Sequence, residues 1–205
     1  MLASITPLGE RGRNNRWALT AGAYVAGSGL GGAAIGLALG AAGQALDAAV
    51  PGDGVPVPAR LVAIAVLAAI GVVADLGLAR ARVPTIRRQV DEDWIGRYRG
   101  WVYGLGYGFQ LGLGVVTIVS SAVTWVALAA ALLTGSWLGG LVVGTVFGAV
   151  RGLPVLLTAP VRHPGALRDL HRRNQRWAPV ARRLALGGQT VAVILSLLLA
   201  LGLRA

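Results

Sequence analysis

The chain has 205 residues, 55% of them hydrophobic and 13% charged, about half the charge share of a soluble domain. Its apolar residues run in uncharged blocks instead of amphipathic stripes, which excludes an ordinary soluble core and fits a hydrocarbon slab about 30 Å thick. The net charge of +11 rests on 19 arginines and no lysine. Because these lie between apolar blocks, membrane topology accounts for them and nucleic-acid binding is not expected.

The polar segment Glu10–Arg16 leads into an apolar block too long for the core of a signal peptide. Block one, residues 17–46, carries no charge. Asp47 and the Pro51–Pro58 stretch end it as a turn-rich loop. Block two, 59–78, contains one acid, Asp75. A polar stretch, 80–99, follows with Arg80, Arg82, Arg87, Arg88, Asp91, Glu92, Asp93 and Arg97. Block three, 100–133, would rise roughly 50 Å as one straight helix. That exceeds the bilayer, so a tilt or a break is required, and Gly112 and Gly114 mark the expected break. Gly135-Ser136 turns the chain into block four, 137–159, with one charge, Arg151. A second basic stretch, 162–183, precedes block five, 184–203.

The expected fold is an all-α polytopic membrane helix bundle of about five transmembrane helices in one domain covering 1–205. With five spans, the N-terminal segment and the 80–99 and 162–183 loops share one side, carrying net charges of +2, +3 and +6. Asp47, Asp53, Arg60 and Arg204 cancel on the other. The positive-inside rule then puts the N-terminus and both basic loops in the cytoplasm and the C-terminus outside a cell (inner or plasma) membrane. Trp17, Trp94, Trp101 and Trp177 anchor the basic edge and Trp137 the opposite one.

Arg13-Asn14-Asn15-Arg16-Trp17, Arg97-Tyr98-Arg99-Gly100-Trp101 and Arg173-Asn174-Gln175-Arg176-Trp177 repeat one pattern, which reads either as three interfacial anchors or as an internal duplication. Tyr24-x-x-Gly27 and Phe109-x-x-Gly112, at nearly equal distances after their tryptophans, favour duplication. Glycines spaced by four (32, 36, 40; 100, 104, 108, 112; 140, 144, 148, 152) line single helix faces. Such faces serve close helix approach, or a rocking surface in a transporter.

Phe109-Gln110-Leu111-Gly112-Leu113-Gly114-Val115-Val116, Ala129-Ala130-Ala131 with Thr134-Gly135-Ser136-Trp137-Leu138-Gly139-Gly140, and Phe147-Gly148-x-x-Gly152-Leu153-Pro154 resemble segments of the CcdA/DsbD-type transmembrane electron carriers of cytochrome c biogenesis. The resemblance covers about residues 97–158. It implies a related helical scaffold and, through the wider LysE-like transporter superfamily, a transport activity. It puts reactive cysteines near Gly31 and Val116 and prolines near Leu30 and Val115. None of these is present, and the chain has no cysteine at all, so dithiol electron transfer, disulfides and cysteine-ligated metals are excluded for this chain. The family's six spans also contrast with the five counted here.

An ionisable group inside hydrocarbon is a functional candidate, and Asp75 and Arg151 are the charges that fall within the expected spans. They could pair across two helices, fix register, snorkel to the interface, or form a gated anion or proton site. Gln110, Thr117, Ser120, Ser121 and Thr124 could line a hydrated path beside the Gly112–Gly114 break or simply bond to their own helices. Leu167, Leu170, Trp177 and Leu184, interspersed with charges that include Arg172, Arg173 and Arg176, suit a helix lying on an anionic lipid surface. His163 and His171, both in the basic loop, make a metal site unexpected. No cofactor and no enzyme activity are expected, and few acid–base groups are available for one. Two functions fit: a transporter moving a small solute or ion past Asp75, Gln110, Gly112, Gly114, Thr117 and Arg151, or a non-catalytic membrane subunit or assembly factor that packs against partner proteins through glycine-rich faces. Membrane lipids are the expected surroundings, and a homo-oligomer or larger membrane complex is the expected assembly.

Overall fold

The computed structural model describes residues 5–52, 54–78, 93–117 and 121–203. Asp53, Arg80, Arg82, Arg87, Arg88, Asp91, Glu92, Ser120 and Arg204 lie outside the described residues. Among the described residues the secondary structure is helical, with no strand: α1 (Pro7–Gly12), α2 (Trp17–Ala49), α3 (Val57–Leu76), α4 (Trp94–Arg97), α5 (Gly100–Gly112), α6 (Val123–Leu133), α7 (Trp137–Gly152) with a 3-10 extension (Leu153–Thr158), and α8 (Pro164–Gly202). Among the described residues four stretches are long and apolar enough to cross a membrane: α2, α3, α7 with its extension, and α8; α6 is a shorter apolar helix. The chain is an all-α membrane helix bundle.

One boundary falls where the sequence places it and another does not. The 100–133 block is two helices. α5 stops at Gly112, and Gly114 adopts φ +77, a left-handed conformation that glycine takes without the Cβ penalty. The 13 residues of α5 and the 11 of α6 each rise about 20 Å or less, short of the hydrocarbon thickness. In the other case, the basic 162–183 stretch is no loop. Pro164, whose missing N–H costs nothing in a first turn, opens a helix that continues to Gly202 through an internal Pro179. The residues around Pro179 are exposed, so the carbonyl that proline leaves without a donor can be solvated.

Two units divide the chain. The first comprises Met1–Gly32, Ile86–Ile118 and Thr145–Val180. Here the start of α2 lies parallel to α5: a Cβ at Gly104, Gly108 or Gly112 would strike the carbonyl oxygen of Thr20, Tyr24 or Ser28, the numbers rising together. In return, a Cβ at Gly27 or Gly31 would strike the carbonyl of Leu105 or Phe109. The end of α7 closes on the same stretch of α2, with Gly148 and Gly152 against Ser28, whose hydroxyl donates to the Gly148 carbonyl at 2.6 Å. Ile5, Ala21, Tyr24, Tyr103, Tyr107 and Val155 form the core, and Trp94 stacks on Tyr107 with ring centroids 6.0 Å apart.

The second unit comprises Ala33–Thr85, Val119–Gly144 and Ala181–Ala205. Gly36 meets Gly140 and Gly144, and Gly40 meets Ser136 and Gly140. These numbers run in opposite senses, so α2 and α7 are antiparallel here. Gly43 abuts the Leu132 carbonyl, and α3 packs on α6. In both units the glycine rows let backbones touch. These glycines are therefore used inside the fold, as the close-approach reading of their spacing expects.

Candidate functional site

Asp75, on the last turn of α3, belongs to the second unit. Its Oδ1 accepts the backbone N–H of Ala122 at 2.9 Å, and its Oδ2 accepts Ser121 Oγ at 2.7 Å and Gln189 Nε2 at 2.8 Å. Helix α6 starts with open N–H groups, and Asp75 caps it from a neighbouring helix. The negative carboxylate also faces the positive end of the α6 dipole. Arg182 of α8 donates to the main-chain oxygen of Asp75 at 2.7 Å, covering one of the carbonyls that the end of α3 leaves open. Gln189 is buried, and its Oε1 has no partner. That oxygen occupies the space a Cβ on Gly71 would need. Asp75 is thus satisfied within its own unit by three neutral donors.

Arg151, on α7, belongs to the first unit. Its guanidinium donates to Thr117 Oγ1 at 3.1 Å and lies 5.3 Å from the centre of the Phe147 ring. Thr117 is buried in the segment that follows the left-handed Gly114, and Gly112 is closed against Ser28. Gln110 is half-buried on α5. Arg151, Thr117 and the helix break therefore share one neighbourhood, a guanidinium beside a stretch whose backbone has left the helical ladder.

Two further polar clusters were not anticipated. Glu10, fully buried, accepts from Thr20 Oγ1 at 2.9 Å, from Arg13 at 2.7 Å and from the Tyr103 hydroxyl. Asn15 Oδ1 accepts the Gly100 N–H at 3.3 Å, so the first and second of the repeated Arg-Trp segments meet here. Trp17 is held by Thr158, its indole N–H donating at 3.1 Å, and Thr158 donates in turn to the Ile5 carbonyl at 2.9 Å. In the second unit, Arg60 spreads its guanidinium over Asp47 Oδ2 (2.5 Å), the Val55 carbonyl (2.9 Å) and the Thr134 carbonyl (3.1 Å). A cavity of about 80 Å³ opens beside the pair, walled by Gly43, Leu46, Leu132 and Leu133. The sequence reading had treated Asp47 and Arg60 only as cancelling charges and Glu10 only as one acid among arginines. The available signal is that Glu10 and Asp47 are isolated acids near the ends of apolar blocks, Glu10 directly before an arginine.

Arg172, Arg173, Arg176 and Trp177 are exposed on α8; Arg172 pairs with Asp169 at 3.2 Å. Among the described residues no group of three His, Cys, Asp or Glu side chains comes together to hold a metal.

The family profile described as the transmembrane region of cytochrome c biogenesis proteins matches residues 2–187, well beyond the segments that carried the resemblance. Among curated proteins, the methylamine utilization protein MauF of Methylophilus methylotrophus is 30% identical over 200 residues, covering 96% of this chain and 68% of that protein. Its namesake in Methylobacillus flagellatus is 30% identical, covering 89% and 63%, and that of Paracoccus denitrificans is 32% identical, covering 94% and 71%. No solved structure gives a significant match. At Gly31, near which the resemblance puts one reactive cysteine, a Cβ would strike the Phe109 carbonyl. The chain belongs to the cytochrome c biogenesis transmembrane-region family, as a member that contains no cysteine.

Proposed function

We propose that the protein is a non-catalytic membrane assembly factor or subunit serving amine utilization, acting by binding partner proteins. The observation that carries this is the absence of any cysteine in a chain of this family, with the backbone packed tightly at Gly31, near the position of the family's thiol, where a Cβ would strike the Phe109 carbonyl. A scaffold without a thiol cannot work by thiol exchange. The relatives' names, methylamine utilization proteins, supply the process. The orientation that fits has the N-terminus in the cytoplasm. In the first unit α2 and α5 are parallel and the end of α7 returns to the start of α2. This gathers Arg13, Arg16, Arg97 and Arg99 at one end, as the positive-inside rule requires of a cytoplasmic face.

Deletion of the gene from its host is expected to abolish growth on methylamine as sole nitrogen source and to leave growth on ammonium intact. Mild-detergent purification is expected to yield a stoichiometric protein partner. Undiminished growth on methylamine would overturn the process, and a chain that purifies alone and functions alone would overturn the assembly role. Passage of a small solute is the second reading. It is favoured by Arg151 donating to Thr117 beside the helix break, and flux of a small anion into proteoliposomes that is lost in Arg151→Ala would select it.

A further inference from the structure

Helix α8 is seated on the first unit at Leu170 and is exposed over the residues that follow. Leu170 is buried in the first unit. Seven residues on, and on the same helical face, Trp177 is 62% exposed. Every residue from His171 to Leu184 is exposed, yet this stretch is helical and bears an internal proline. Arg168, Arg172 and Arg176 recur at intervals of four and so form a row on one side, with Arg173 beside it. The acid within this stretch is Asp169, which engages Arg172 in a pair whose side chains are 69% and 71% exposed, a weak neutralisation. An isolated basic helix of this length is marginal in water. What the row lacks is a planar array of anions, and what Trp177 lacks is a half-polar, half-apolar layer.

We propose that the α8 segment containing Arg168, Arg172, Arg173, Arg176 and Trp177 is a docking surface for anionic phospholipid headgroups. The guanidinium groups donate to headgroup phosphates, which they match in fork geometry. Trp177 sits at headgroup depth, its indole body against acyl chains and its N–H toward water or ester oxygens. The same helix continues into an apolar stretch that ends at Gly202, so the arginine row precedes a membrane-embedded segment of its own helix. Basic residues at an anionic leaflet contribute about fivefold each in affinity.

The test uses the full chain in nanodiscs of zwitterionic lipid with a minor fraction of phosphatidylglycerol, read by native mass spectrometry of retained lipid. The wild type is expected to retain the anionic lipid in preference, and Arg172→Gln/Arg173→Gln/Arg176→Gln is expected to lower that preference at least about tenfold. Arg11→Gln/Arg16→Gln, which removes two exposed arginines elsewhere, is expected to lower it much less. Equal retention of both lipids by the wild type, or equal losses in the two variants, overturns the assignment. Because the chain has no cysteine, Trp177→Cys gives a single reporter. An accessibility to membrane-impermeant thiol reagent that falls as anionic lipid is added supports the proposal. A disulfide-linked dimer that forms regardless of lipid composition overturns it in favour of a second copy of the chain.

Discussion

Asp75 reaches from α3 to the backbone N–H of Ala122, 2.9 Å away, and so one helix supplies the cap that another lacks. If capping is its role, shape and acceptor character matter more than charge. Asp75→Asn keeps an oxygen for the Ala122 N–H, and its N–H₂ can donate to Ser121 Oγ or to the otherwise unpartnered Oε1 of a flipped Gln189, so it is expected to melt within a few degrees of wild type in detergent. Asp75→Ala is expected to lose about 1–2 kcal/mol, the usual value of a helix cap. Gly71→Ala, which displaces the Gln189 amide from its seat, should show a smaller loss. A carboxylate held for its negative charge at the α6 N-terminus would behave otherwise, Asn being as damaging as Ala. Size-exclusion thermostability of the three variants separates the two roles.

The glycine rows give a sharper contrast. A Cβ at Gly108 or Gly148 would strike the main-chain oxygen of Tyr24 or Ser28, whereas Gly22 and Gly29 have open space around them. A backbone cannot step aside as a flexible side chain can. Gly108→Ala and Gly148→Ala are therefore expected to cost 3 kcal/mol or about that, as severe overpacking does, and to yield little monodisperse protein. Gly22→Ala and Gly29→Ala, in helix interiors, are expected to fold normally or gain about 0.5–1 kcal/mol from higher helix propensity. Yield and melting temperature of the four variants check both halves of the contrast.

That the chain is a membrane bundle was readable because hydrocarbon imposes length and composition together; the apolar blocks announce α2, α3 and α7 almost without further argument. The break after Gly112 was readable for a different reason, since a block too long for the bilayer contains two nearby glycines. Asp75 and Arg151 stood out because charge in hydrocarbon is rare. What each of them touches was not readable. Thr117 and Arg151 are 34 positions apart, and Asp75 and Gln189 are 114 apart; no periodicity links positions so distant. The continuity of α8 was hidden by its composition, because arginine-rich and apolar halves read as loop and span. Only Pro164, a first-turn residue, signalled the true start.

Arg60 joins three pieces of the second unit: the end of α2 through Asp47, the loop after it through Val55, and the end of α6 through Thr134. Lysine has one point charge where this site uses a planar fork. Arg60→Lys is therefore expected to recover less than half of what Arg60→Ala loses. A double-mutant cycle of Arg60→Ala with Asp47→Ala should give a coupling of about 1 kcal/mol, since the pair is only partly shielded from solvent. Gly135→Ala is expected to be at least as damaging as Arg60→Ala. Its φ of +59 strains any L side chain, and the Arg60 guanidinium fills the place of the new methyl. Additivity of the first two substitutions within experimental error would show that the contact contributes nothing.

Glu10 presents an acceptor to Thr20, Arg13 and Tyr103 from a position with no solvent exposure. Replacing it by glutamine sets an N–H₂ against groups that are themselves donors, and burial denies those groups water as a substitute. Glu10→Gln is expected to cost about 1–3 kcal/mol, the penalty for leaving buried donors unmade. Tyr103→Phe removes a single donor and should cost less. Because Glu10 ties α1 to α2 and α5, the loss should be local. Limited proteolysis is expected to cut the first 16 residues of Glu10→Gln well before it cuts wild type, with the helical content by circular dichroism unchanged. Cleavage at equal rates would mean that α1 is held by Ile5 and by the Leu8 N–H bond to Val161 at 3.0 Å, with the buried carboxylate contributing little.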